Sequence, residues 1–382
     1  MKRTEVFALA LGLFFFSQAA HADWRPAKRI TWTSGWSEYP AIAVDASGNP
    51  HVVWDDETTG YSEIYYKGSP DGGSSWTTPK KLSSTTAGCY RPDIAAGPSG
   101  ALHVVWYDYA TGEYEIYYRK STNGGITWTA TKRLTWTSRG AEYPALAVDS
   151  SGNPNVAWTE YILGNYEIYY KKSTDFGTQW TTAKRLTWTA ESSDEPALAV
   201  DSSGNPHVIW YDKTPGNYEL YYRKSTDGGS AWTPSKRLTW DSYGSWYPSM
   251  AVDSSDVLHV GWENATIEAP EIHYRKSTDG GTSWAPVKRL TWTSGLSGSP
   301  RLAVDPSGNP HAVWYDNTPG HYEVYYEMSP DGGTTWTASE RLTWTPSGAY
   351  DPDLAADPSG LIHVVWQTDV PGNFEIYYMK SK

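Results

Sequence analysis

Carboxylates recur at intervals of 52 residues along this chain: Asp56, Asp108, Glu160, Asp212 and Asp316, with Asn264 and Thr368 at the two remaining places. Glycoside hydrolysis needs two carboxyl groups about 5 to 9.5 Å apart, and a ring of carboxylates could hold Ca²⁺. Repetition favours a structural role, because an Asp opening a turn of the T-P-G-N kind accepts local backbone N–H bonds. Glu160 stands apart, since its loop Tyr161-Ile162-Leu163 is irregular. Histidines 51, 103, 207, 259, 311 and 363 share the interval. Equivalent atoms on neighbouring sheets should lie about 10 Å apart, too far to share a zinc ion whose nitrogen ligands sit at about 2.0 to 2.1 Å. Glu63, Glu115, Glu167, Glu219, Glu271, Glu323 and Glu375 face the Lys or Arg of a neighbouring strand, which reads as a repeated cross-strand ion pair.

Departures from the interval mark where one unit does something its neighbours do not. Of the 22 tryptophans, 20 fall in three repeated columns, leaving Trp36 and Trp246. Both sit in variable loops, where an indole offers a rigid platform for a sugar ring or a partner. Most arginines fall in columns too, but Arg25, Arg91, Arg139 and Arg301 do not, and the last three precede or begin a strand on the variable face. Together with Tyr39, Tyr107, Tyr143, Tyr211, Tyr247, Glu160 and Asp212, these residues form the expected ligand surface. The column Trp32, Trp136, Trp188, Trp240, Trp292 and Trp344 lies near Tyr114, Tyr166, Tyr218, Tyr322 and Phe374. Packing between units is the expected role for it, and a set of weak equivalent sites the alternative.

The elements that must position these groups follow from the same interval. Trp54, Trp106, Trp158, Trp210, Trp262, Trp314 and Trp366 are each 52 apart, and four strand-like runs separated by Gly-rich turns fill each unit. Seven such units predict an all-β, seven-bladed β-propeller of four-stranded antiparallel blades. The blades are expected at 37–88, 89–140, 141–192, 193–244, 245–296 and 297–348, with 349–382 completed by 23–36. The column of Trp76, Trp128, Trp180, Trp232, Trp284 and Trp336 has its seventh member in Trp24, which is how a ring closes.

Lys2 and Arg3, an apolar run from Val6 to Phe16 and Ala20-His21-Ala22 predict a cleaved export signal over 1–22, hence a secreted or periplasmic protein. Cys89 stands alone, so no internal disulfide is possible. A formal charge of -12, with no basic stripe, argues against nucleic acid and anionic membranes. The expectation is a monomer without cofactor or metal.

The turn between third and fourth strands reads S-x-D-x-G-x-x-W around Asp71, Asp175, Asp227, Asp279 and Asp331, with Asn123 in the second unit. It resembles the Asp-box, or bacterial neuraminidase repeat, of sialidases, other glycosidases, sorting receptors and lectin-like proteins. The resemblance implies a structural hairpin closed by Asp71–Trp76, Asn123–Trp128, Asp175–Trp180, Asp227–Trp232, Asp279–Trp284 and Asp331–Trp336. Sialidases resemble one another in six blades, an R-I-P motif, an arginine triad, a Tyr/Glu nucleophile pair and an Asp acid/base. This chain departs in having seven units and no R-I-P, its nearest string being Tyr90-Arg91-Pro92. Its catalytic residues are therefore left unassigned. The expected function is glycan binding through the variable face. The alternatives are a glycoside-active enzyme using Glu160 or Asp212 with Arg91, Arg139 or Arg301, and a protein-interaction scaffold.

Overall fold

The computed structural model describes residues 23–370 and 372–382. The expected export signal at 1–22 lies outside the described residues. Seven separate four-stranded antiparallel sheets make up the fold, and no helix occurs among the described residues. In the fourth blade the strands are Ser193–Val200, Pro206–Asp212, Glu219–Lys224 and Lys236–Arg237, hydrogen-bonded in that order. First strands of all seven blades surround a central basin, so the short fourth strands form the rim. In the seventh blade Lys28–Arg29 lies beside Glu375–Lys380, pairing Lys28 with Tyr378 and Arg29 with Tyr377.

Why these residues make blades is visible in the second strand. Pro-His-Val-Ile-Trp-Tyr-Asp at 206–212 is buried throughout, as a strand covered on both faces must be. Its Trp210 is 1% exposed and stacks on Tyr221 of the next strand at 6.2 Å. Adjacent blades are bolted by the Asp-box tryptophans: Trp128 meets Tyr66 of the preceding blade edge-on at 5.0 Å, and Trp24 meets Tyr326 in the same way at 5.0 Å. Trp24 thus takes the seventh place in that column. Tyr66 in turn bonds His51 Nδ1 at 2.7 Å, which gives the histidine column its role, with Asn155 substituting in the third blade by accepting from Tyr170 at 2.5 Å.

The Asp-box closes as expected. Asp71 Oδ1 accepts from Ser69 Oγ at 2.8 Å and from the Ser75 N–H at 2.7 Å, holding its carboxyl down at about 2 chiefly through the Ser75 bonds. Asn123 makes the same two contacts with Ser121 and Thr127, each at 2.9 Å. Gly73 has φ 89°, and a Cβ there would run into the Tyr378 hydroxyl of the neighbouring blade. Each repeated glutamate meets its cation, as in Arg133–Glu115 at 2.6 Å and Lys81–Glu63 at 2.7 Å.

One repeated column differs from the packing role expected of it. Trp32, Trp136, Trp188, Trp240, Trp292 and Trp344 are 67 to 75% exposed. Each lies just beyond the outermost strand, where no further strand covers it. Its company is the arginine of its own fourth strand, as with Arg29 at 5.6 Å from the Trp32 ring, joined at Trp32 and Trp136 by Lys67 at 5.4 Å and Lys171 at 5.7 Å from the next blade.

Candidate functional site

Each first strand carries a bulge, a break in register between Glu38 and Ala41 in the first blade and at the same place in the other six. The residue inside the bulge has positive φ, between 44° and 51°, in all seven blades: Tyr39, Arg91, Tyr143, Glu195, Tyr247, Ser299 and Asp351. None is glycine, and each precedes a proline. A left-handed backbone costs an L-residue roughly 1 to 2 kcal/mol, so the surroundings must hold it. They do so in part through a side chain of the preceding blade. Gln367 Oε1 accepts from the Tyr39 N–H at 2.6 Å, Thr159 Oγ1 from Glu195 at 3.1 Å and Glu263 Oε2 from Ser299 at 3.2 Å. Bulges re-aim side chains, and here they turn seven of them, of five kinds, into the basin.

The basin has a volume of 430 Å³. Two residues further along each strand lies a second ring, in which Asp93, Arg301 and Asp353 carry charge. Asp93 Oδ2 accepts from the Leu146 N–H at 2.7 Å and Asp353 Oδ2 from Ile42 at 2.9 Å, so both also tie one blade to the next. Arg91 is sandwiched by tyrosines, 4.5 Å from the Tyr39 ring and 5.1 Å from that of Tyr143. Burial opposes its charge, but Glu195 and the tyrosines more than compensate and raise it.

Burial dominates the carboxyl groups. It pushes Glu195 up to about 7 although Arg91 pulls the other way, and Glu38 up to about 7 with help from Glu57 and Asp351. Asp93 rises to about 7 and Asp353 to about 6 for the same reason, and Asp351 is also raised despite Arg91 and Arg301. The basin therefore mixes carboxylic acids that keep part of their protons near neutrality, two fixed cations and four tyrosine rings, Tyr39, Tyr143, Tyr247 and Tyr315. Hydrogen-bond donors, acceptors and flat apolar faces converge on one small volume. Among the described residues no group of three His, Cys, Asp or Glu side chains is arranged to hold a metal ion.

Of the residues singled out in the sequence, Tyr39, Arg91, Tyr143, Tyr247 and Arg301 line this basin. Tyr107 and Tyr211 are buried behind it, with ring centres 5.9 Å from Tyr143 and 6.3 Å from Tyr247 respectively. The others are not brought there. Asp212 caps its turn, accepting from Ser193 Oγ at 2.7 Å and the Thr214 N–H at 2.8 Å. Glu160 accepts from Trp158 Nε1 at 3.2 Å, and Arg139 lies over the Tyr161 ring at 6.0 Å. Trp36 meets Phe374 edge-on at 5.8 Å and Trp246 packs on Tyr218 at 6.1 Å. Sequence reasoning missed Glu195, Ser299, Asp351, Asp93 and Asp353. The proline after each bulge residue, at 40, 92, 144, 196, 248, 300 and 352, is the signal that aligns the ring.

A family model described as a BNR repeat-like domain matches residues 13–260. No curated protein matches the chain. Among solved structures, a protein of unknown function from Dyadobacter fermentans is 12% identical, with TM-score 0.59 over 93% of this chain and 98% of that one. The GH93 alpha-L-arabinofuranosidase of Fusarium graminearum, solved with arabinobiose, is 14% identical, with TM-score 0.59 over 94% and 98%. A Hadza microbial sialidase is 15% identical, with TM-score 0.54 over 84% and 73%. At these identities the likeness is one of fold.

Proposed function

The chain belongs to the BNR repeat-like family, and from that premise we propose that it is an exported carbohydrate-binding protein that takes the end of a neutral glycan into the central basin. The observation that carries the reading is the ring of seven side chains of five kinds on seven like backbones, with Arg91 held between Tyr39 and Tyr143. Tyrosine faces stack on sugar rings, while arginine and carboxyl groups serve hydroxyls, which both donate and accept. Charge favours a neutral ligand: Glu195 and Asp93 at about 7 and Asp353 at about 6 are together ionised enough at neutral pH to offset Arg91 and Arg301, which leaves no surplus of cations for an acidic sugar. The arginine triad implied by the sialidase resemblance finds little support, since Arg139 lies elsewhere. Tyr211 and Glu195 do pair, as a tyrosine nucleophile with its glutamate would, but burial and Glu195 drive the Tyr211 hydroxyl upward, which opposes its ionisation.

Glycan-array screening followed by calorimetry tests this. Arg91→Ala and Tyr143→Ala should each weaken a retained neutral oligosaccharide at least tenfold with the fold intact. Silence across neutral glycans, or retention only of sialylated ones, would overturn it. One observation favours a second reading as a glycoside hydrolase: Glu195, at about 7, carries a proton to donate near neutral pH. Turnover of aryl glycosides that disappears in Glu195→Gln would move the conclusion there.

A further inference from the structure

One position of the third strand faces the preceding blade, and in five blades it is cationic: Lys67, Arg119, Lys171, Arg223 and Arg275. Each reaches across the cleft to a backbone carbonyl at the end of the neighbouring fourth strand. Lys67 donates to Ile30 at 2.6 Å, Arg119 to Leu82 at 2.6 Å, Lys171 to Leu134 at 2.8 Å and Arg275 to Leu238 at 2.6 Å, and Arg223 bonds Leu186. These side chains stopper the clefts between blades. In the sixth blade the position is Glu327, which accepts from Ser339 within its own blade. In the seventh it is Met379, which has no proton to donate and leaves the cleft against Leu342 unstoppered. A cavity of 660 Å³ opens there.

We propose that this cleft between the sixth and seventh blades is a second binding site, separate from the basin, for a neutral aromatic molecule of about drug size. Its walls are Trp24, Trp344, Trp366, Tyr377, Leu342 and Met379. Indole and phenol rings favour a flat guest by offset or edge-on stacking, and the thioether adds a sulfur–aromatic contact. The volume falls within the roughly 300 to 1,000 Å³ of small-molecule sites, which are likewise mainly apolar with a few polar groups for orientation. Here the Trp366 indole N–H and the Thr368 hydroxyl, both buried without a hydrogen-bond partner, supply such groups. The side-chain charges at the mouth, Asp23, Arg25, Glu340 and Arg341, sum to zero. Trp344 is 72% exposed and forms one lip, so the guest enters from solvent without the blades parting.

Nile red, a neutral aromatic dye, is the probe. The protein should bind one equivalent saturably, with a blue-shifted emission. Met379→Lys restores the stopper used elsewhere and should weaken binding at least tenfold. Trp344→Ala, at an exposed position that the fold does not need, should weaken it severalfold even if Met379→Lys fails to fold. Lys171→Met, which removes a stopper beside Trp136, should raise the stoichiometry toward two. Absence of saturable binding, or unchanged binding in both Met379→Lys and Trp344→Ala, would overturn the proposal.

Discussion

Replacing Glu327 by glutamine should raise the melting temperature at pH 8 far more than at pH 5. Glu327 is 3% exposed, and burial pushes its carboxyl up to about 7 from an ordinary 4.5, with only the Ser339 hydroxyl pulling downward. The folded pKa lies above the unfolded one. Below about 4.5 both states hold the proton and the site costs nothing. As pH rises through 7 the unfolded chain ionises freely while the folded chain must either keep the proton or bury a charge, so stability falls. At about 1.4 kcal/mol per tenfold shift in the proton equilibrium, the loss approaches about 3 kcal/mol by pH 8 and stays below about 1 kcal/mol at pH 5. Glutamine still accepts from Ser339 and never ionises. For a chain of this size that is a gain of roughly 5 °C at pH 8, read by differential scanning calorimetry against wild type at both pH values. Glu327→Arg should also stabilise, by reaching the Leu290 carbonyl as Arg223 and Arg275 reach theirs. An equal shift of Glu327→Gln at the two pH values, or none at pH 8, would refute the reasoning, because it would mean that the carboxylate is solvated in the folded state.

Three further perturbations test the frame. Tyr118→Phe deprives the buried His103 Nδ1 of its partner at 2.7 Å and should cost about 1 to 3 kcal/mol in denaturant unfolding. Asp279→Asn should be nearly neutral, because Asn123 already closes the same hairpin in the second blade, whereas Asp279→Ala should lower the melting temperature measurably. Cys89 is fully buried and its thiol is pushed up by burial and by Asp108, so aromatic disulfide reagents should label it only on unfolding.

The blade count, the strand order and the completion of the last blade were legible because a 52-residue interval puts every structural requirement in register. Asp212 was likewise readable as a turn cap from its repetition. The basin was half legible. Arg91 and Arg301 stood out as arginines outside the repeated arginine columns, but Glu195, Ser299 and Asp351 look like ordinary loop residues until the backbone shows that they share one left-handed bulge with Tyr39. The proline column carried that information without saying which way the bulge aims its side chain. Trp36 and Trp246 are irregular in sequence yet find neighbours in Phe374 and Tyr218, so irregularity alone did not locate the site. The rim tryptophans misled for the opposite reason: repetition suggests a core, but the outermost strand of a blade has nothing beyond it to pack against.

The pairing of Lys28 with Tyr378 sets an order of events during folding. Six blades contain all four of their strands in one contiguous stretch and can form as local hairpins while the chain is still emerging. The seventh cannot, because its outer strand is made first and its three partners last. The early segment must wait unpaired until the far end arrives, and because closure entropy grows only logarithmically with loop length, the long wait adds little to its cost in stability, though non-local contacts of this kind are slow to form. Proteolytic loss of residues 23–32 would take Trp24 from Tyr326 and Arg29 from Glu375. The seventh blade would then be a three-stranded sheet with the edge of Glu375–Lys380 left raw, able to recruit the missing strand from another molecule.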